Sequence, residues 1–256
     1  MLNDPSAIAL LLAAAFMAGA LNAVAGGGSF LTLPALVFTG LPPITANATG
    51  TVALLPGYVS GFLGFREDIE APPGLSIPML ISLSLTGGAI GATLLLVTED
   101  RMFNRIVPWL LLLATLLFAL GPNLLRRVRG NLGGPPSLSK SASGILAVSV
   151  YGGYFNGGLG ILLLALLGLL GQTSLNGMNG AKNLVSALLT AIAVAIYICG
   201  NVVSWPHALM MMLAATAGGY LGARVARRIR PPVLLGGIVV TGLIMTFLFF
   251  ARGASN

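Results

Sequence analysis

Eight apolar runs, at about 7–25, 45–65, 76–97, 106–125, 144–156, 176–200, 207–226 and 232–250, divide this chain from end to end. All but 144–156 approach the roughly 20 residues that a helix needs to cross a bilayer. In lipid, every backbone polar group must be satisfied within the protein, so apolar runs of this length fold as helices. Charged residues make up 7% of the chain, against about 25% in soluble domains, too few to clothe a water-facing surface. The chain therefore reads as an all-α, polytopic integral membrane protein. Its 256 residues leave no room for a separate soluble domain. The start "MLNDPS" carries Asp4 and no Lys or Arg, so the first run reads as a membrane helix despite the cleavage-like Ala18-Gly19-Ala20.

Two further apolar runs, 30–38 and 159–170, are too brief to cross alone, and each follows a glycine break. In "NAVAGGGSFLTLPAL" Gly26, Gly27 and Gly28 together with Pro34 interrupt the helix; in "NGGLGILLLAL" the break is Gly157 and Gly158. A shift of 131 residues lays Gly26-Gly27 on Gly157-Gly158 and Gly40 on Gly171. The same shift lays "GGAIGA" (from Gly87) on "GGYLGA" (from Gly218), and a one-residue slip pairs Asn47 with Asn179. Two distant blocks sharing one offset indicate two homologous halves, 1–125 and 141–256, joined by a basic linker at 126–140. Each half holds about four spanning helices and one short broken helix.

Charge placement bears on orientation. The linker carries Arg126, Arg127, Arg129 and Lys140, and the loop after 207–226 carries Arg224, Arg227, Arg228 and Arg230. Both are expected on the cytoplasmic side. The loop matching the second in the first half, "TEDRMFNR", has no net charge. Unequal charge on equivalent loops indicates halves of opposite orientation, a plan that recurs among secondary transporters with broken helices. The net charge of +7 thus belongs to membrane topology, and no nucleic-acid partner is expected. Lone Cys199 reads as a small apolar filler.

The acidic residues Asp4, Glu67, Asp68, Glu70, Glu99 and Asp100 all lie at the N-terminus or in loops. No carboxylate is thus expected at membrane depth to bind a metal cation or relay a proton. No HExxH, CxxC or nucleotide-loop pattern occurs, and an enzyme or cofactor is not expected. The single histidine, His207 in "SWPHAL", reads as part of an interfacial anchor beside Trp205.

Lys182 stands apart, about six residues into an apolar run, with Asn176, Asn179 and Asn183 around it. A charge at membrane depth is costly and marks a functional site by default; the alternative is a snorkelling lysine. With no acidic partner in that half, an anionic ligand is its natural counter-charge. The glycine breaks supply matching chemistry, because a helix starting in mid-membrane points free N–H groups and a positive dipole end at whatever lies before it. "TANATGTVALLPGY" adds Asn47, Thr49 and Thr51 at the next helix start, where Thr45 and Asn47 could also serve as caps. Gly87xxxGly91 and Gly218xxxGly222 read instead as helix-packing faces.

"AGALNAVAGGGSFLTLPALVFTGLPPITANATGTVALLPGY", "NGMNGAKNLVSALLTAIAV" and "GGYLGARVARRIRP" together resemble the sulfite exporter TauE/SafE family over essentially the whole chain. The resemblance implies a two-repeat permease of the bacterial inner membrane for small sulfur-containing anions such as sulfite or sulfonates. The second glycine signature departs from the first, lacking both GGG and the proline. The resulting expectation is a secondary transporter that exports sulfite or a related organosulfur anion. Its substrate site is Gly26, Gly27, Gly28, Asn47, Thr49, Gly157, Gly158, Asn179, Lys182 and Asn183. The rivals are a proton- or sodium-coupled uptake permease for a sulfonate such as sulfoacetate, and a non-transporting assembly factor. The lipid bilayer is the expected environment, and the plan admits a homo-oligomer.

Overall fold

The computed structural model describes residues 4–130, 137–226 and 231–254. Among them lie ten α-helices, one 3-10 turn and no strand. The helices are α1 (Pro5–Ala25), α2 (Ser29–Phe38), α3 (Pro43–Gly64), α4 (Ile77–Val97), α5 (Asp100–Gly130), α6 (Leu138–Tyr154), α7 (Leu159–Leu169), α8 (Leu175–Cys199), α9 (Trp205–Ala226) and α10 (Pro231–Ala254). They follow the apolar runs, including the two short ones. Of these, Pro5–Ala23, Ile77–Val97 and Asn176–Cys199 are long and apolar enough to cross a membrane within the described residues.

Local chemistry sets the boundaries. Asp4 caps α1 by accepting the Ser6 amide at 2.9 Å, with Pro5 in the first turn where its missing N–H costs nothing. α1 ends at Gly26, whose φ of 73° is a left-handed conformation easy only for glycine. Both short helices close alike: Leu41 donates to the Leu36 carbonyl and Gln172 to the Leu167 carbonyl, each at 3.1 Å. Gly40 and Gly171 supply the left-handed residue of these motifs, at φ 94° and 89°.

Several expectations need correction. Pro34 does not break the chain but lies inside α2; the glycines alone make the interruption. Thr45 and Asn47 are not caps, because α3 begins earlier, at Pro43, where "LPP" presets the first turn. The basic linker expected at 126–140 is helical at both ends, since α5 runs to Gly130 and α6 starts at Leu138. No glycine or proline intervenes between Arg126 and Arg129 to stop α5. The middle of the linker, 131–136, and Arg227, Arg228 and Arg230 lie outside the described residues. Cys199 closes α8 with its side chain exposed rather than filling the interior.

Glycine faces bring the halves into interlock. α1 packs along α9 and α4 along α6. A β-carbon added at Gly218 would lie 1.9 Å from the Phe16 carbonyl oxygen, and one at Gly91 would lie 2.1 Å from that of Val150. Backbone meets backbone at both crossings, as small-residue faces allow. Outside, Val97, Leu213 and Phe247 are at least 70% exposed, an apolar surface suited to lipid. Polar side chains are turned inward: Asn22, Asn47, Thr51, Asn156, Lys182 and Thr190 are all buried.

Candidate functional site

The two glycine breaks touch. The Gly160 amide donates to the Gly26 carbonyl at 3.2 Å, and a β-carbon at Gly26 would lie 2.6 Å from the Gly160 Cα. Beyond Gly26, Phe30 donates to the Gly27 carbonyl and Leu31 to that of Gly28 as α2 starts. Beyond Gly158, whose φ is 72°, Ile161 and Leu162 donate to its carbonyl as α7 starts. Among the described residues, no acceptor takes the amides of Gly27, Gly28 and Ser29 or those of Gly157, Gly158 and Leu159. All six residues are buried. Buried N–H groups are almost always paired, and unclaimed amides at a helix start are chemistry that suits an anion.

A buried polar node adjoins the breaks. Asn156 adopts φ 62°, and its Oδ1 accepts the Tyr58 hydroxyl at 3.0 Å. Its Nδ2 donates to Thr190 Oγ1 at 3.4 Å. Asn22 packs beside Gly57 and leaves its Oδ1 buried without a partner among the described residues, as does Ser29 with its Oγ. Asn47 Nδ2 donates to the Tyr154 carbonyl, at the end of α6, at 3.0 Å; its Oδ1 is buried and unpaired among the described residues. Asn22, Tyr58, Asn156 and Thr190 were not singled out from sequence. Helical spacing holds the signal: Asn47, Thr51 and Tyr58 share one face of α3, as do Asn179, Lys182, Asn183, Ser186 and Thr190 on α8.

The structure joins the expected residues unevenly. Gly26 meets the second break directly, and Asn47 reaches it through Tyr154. Asn183 instead donates to the Gly61 carbonyl at 3.3 Å. Thr49 turns to the loop before α9, where its Oγ1 accepts the Ser204 amide at 3.0 Å. Lys182 is 6% exposed, roughly 10 Å along α8 from Leu175, and forms no ion pair among the described residues. The acidic loop of the first half nevertheless covers the start of α8. A β-carbon at Gly177 would lie 2.7 Å from Glu70 Oε2, and one at Gly180 would meet the backbone of Asp68 and Ile69. Gln172 fastens this loop by donating to the Glu70 carbonyl at 3.0 Å. A carboxylate there complements the helix dipole and would compete with an incoming anion. Among the described residues, no three His, Cys, Asp or Glu side chains gather as a metal site would require.

Apolar outer faces, polar interior faces and two helices interrupted at buried glycines define a membrane transporter. The chain belongs to the family described as sulfite exporter TauE/SafE, whose profile matches residues 11–249. Its relatives include a "Probable membrane transporter protein" of Haemophilus influenzae, 29% identical over 249 residues, covering 93% of this chain and 92% of the relative. "Probable membrane transporter protein YfcA" of Escherichia coli is 28% identical over 251 residues, covering 94% and 91% respectively. "Probable membrane transporter protein ORF9" of a Sinorhizobium species is 32% identical over 117 residues, covering 46% of this chain and 44% of that protein. No solved structure matches the chain.

Proposed function

We propose that this protein is a multi-pass secondary transporter of the bacterial inner membrane that exports sulfite or a related organosulfur anion from the cytoplasm. The paired breaks carry this reading. Their unclaimed amides at Gly27, Gly28, Gly157 and Gly158 give the backbone a positive field without a fixed positive charge. Such a site holds an anion yet releases it, as transport demands. Lys182 adds the charge, and Asn47 and Asn179 the polar lining. Family membership supports the sulfur-anion class, and the printed transporter names of the relatives support transport over an assembly role.

The site sits between two halves related as inverted repeats. That reading draws support from helix order, which runs long, short, long, long, long twice over. It also draws support from the matching closures at Gly40 and Gly171. Each half's first helix packs on the other half's fourth. Rocking of one interlocked pair against the other would expose the breaks to each side in turn.

The test is anion flux in proteoliposomes, preceded by a thermal-shift screen of sulfite, sulfate, thiosulfate, taurine and sulfoacetate. A ligand that binds the native state alone raises apparent stability. Outward sulfite flux without an imposed pH gradient is the expected result. Inward flux strictly dependent on that gradient would replace the export reading with coupled uptake.

A further inference from the structure

Buried hydroxyls inside the helices of this chain share a habit. Thr51, Ser84, Thr115 and Thr246 are buried, and each donates to the carbonyl four residues before it, at 2.6–2.8 Å. The first turn of α2 departs from it. Ser29 is 2% exposed and Thr32 0% exposed, yet Ser29 Oγ and Thr32 Oγ1 have no partner among the described residues. The Gly28 carbonyl stands four residues before Thr32, but it takes the amides of Leu31 and Thr32 rather than the hydroxyl. A buried hydroxyl without a partner costs free energy, so two of them on one turn point to a ligand. Ser141 and Ser149 of α6 are unpaired as well, but they lie outside the breaks, and Ser149 is wedged against Gly87 of α4.

Helix geometry aims both hydroxyls at the break. Side chains on a helix lean toward its N-terminus and cover the preceding turn. Ser29 is the first residue of α2, so its hydroxyl lies over the interruption and that of Thr32 over the first turn. Residues three apart are neighbours on a helix face, about 5–6 Å between β-carbons. α3 leaves room opposite, where a β-carbon at Gly50 would lie 2.7 Å from Thr32 Oγ1. At the same helix start, the amides of Gly27, Gly28 and Ser29 find no acceptor among the described residues. The second break lacks such side chains. The shift of 131 residues lays Ser29 on Gly160 and Thr32 on Leu163, and the Gly160 amide is already given to Gly26.

We propose that Ser29 and Thr32 are the substrate-binding side chains of the first break, and that they hold a three-oxygen sulfur oxyanion, the head group of sulfite or a sulfonate. This rests on the anion-transport reading and gives it a specificity determinant. The amides of Gly27, Gly28 and Ser29 and the hydroxyls of Ser29 and Thr32 outnumber the roughly four lone-pair positions of a carboxylate. A pyramidal group with three oxygens can take all of these donors. Hydrogen bonds to an ionised oxygen are about twice as strong as neutral ones, so uncharged hydroxyls suffice. Because the side chains come from α2 alone, the two breaks contribute unequally.

The test is calorimetric titration of the protein in detergent with sulfite, methanesulfonate and acetate, with the melting temperature read separately without ligand. Ser29→Ala and Thr32→Val are each expected to weaken sulfite and methanesulfonate binding about tenfold, the worth of a hydrogen bond to a charged oxygen. Both should also narrow the preference for methanesulfonate over acetate. Their ligand-free melting temperatures should hold or rise, because neither hydroxyl bonds the protein among the described residues. Thr32→Ser keeps the hydroxyl and should keep the affinity. Thr115→Val, which loses a bond to the Leu111 carbonyl, should melt lower and bind as the parent does. If Thr32→Val does not fold, Ser29→Ala decides alone. A parent that binds these anions, with Ser29→Ala binding them equally well, overturns the assignment and leaves the transport reading standing. A parent that prefers acetate overturns the three-oxygen class. If no anion binds the parent or crosses with it in proteoliposomes, the transport reading fails and the assignment fails with it.

Discussion

The amide of Gly160 donates to the carbonyl of Gly26, tying the start of one short helix to the break before the other. These residues lie in different halves of the sequence, so the contact makes the two breaks one structural unit. It consumes one carbonyl and one amide, while the amides of Gly27, Gly28, Gly157 and Gly158 nearby are buried without an acceptor among the described residues.

Gly26→Ala is expected to break that unit. Its φ of 73° costs an L-residue about 1–2 kcal/mol. Its new β-carbon would also lie 2.6 Å from Gly160 Cα, a backbone atom that cannot swing aside. Anion flux should fall to background, with a lower melting temperature in detergent. Unchanged flux would mean that the two breaks need not touch.

Tyr58→Phe removes a hydroxyl that donates to Asn156 at 3.0 Å. The expected loss is about 0.5–1.5 kcal/mol, the net worth of one hydrogen bond, read as a lowered melting temperature. Asn156→Gly keeps the backbone conformation easy while deleting both side-chain bonds. It should therefore reduce transport while the fold is kept. A variant with full transport and only altered stability would remove this node from the pathway.

Packing of the interlocked helices is tested at Gly91 and Gly218. Alanine at either position would drive a methyl into a facing carbonyl, at 2.1 Å and 1.9 Å respectively. Gly64→Ala is the control, because nothing lies within 4 Å of its added carbon. Melting temperatures should fall for the first two and hold for the third. Three equal melts would contradict backbone contact at these crossings.

Lys182→Met keeps the length and apolar stem of the side chain and deletes its charge. The fold should persist, because Lys182 forms no ion pair among the described residues and its loss deprives no carboxylate of one. Anion affinity should fall about tenfold or more, the consequence of losing roughly 1.4 kcal/mol of attraction. A variant that binds sulfite as the parent does would assign Lys182 to snorkelling.

Much of this plan could be read from the residues. Helix positions followed from apolar length, and both short helices from the glycines before them, because lipid leaves the backbone few alternatives. Asn156 carries little signal of its own beside Gly157 and Gly158, although asparagine is the other residue that adopts left-handed backbone readily. Thr49 was legible as a polar residue of an apolar helix, but its partner Ser204 lies 155 residues away, and only tertiary packing joins them. That His207 is buried while Trp205 faces outward is a matter of helix geometry, which separates residues two apart by about 200°. The covering of α8 by Glu70 was hidden for the same reason, since loop contacts between halves have no periodic signature.

The amides of the two breaks test the central claim most directly. Protein labelled with 15N-glycine is titrated with sulfite and followed by NMR. Resonances of Gly27, Gly28, Gly157 and Gly158 are expected to move together along one saturation curve, and Lys182→Met should weaken that curve. Saturable sulfite binding that leaves all four resonances still, while glycines elsewhere move, would contradict an anion site at the paired breaks.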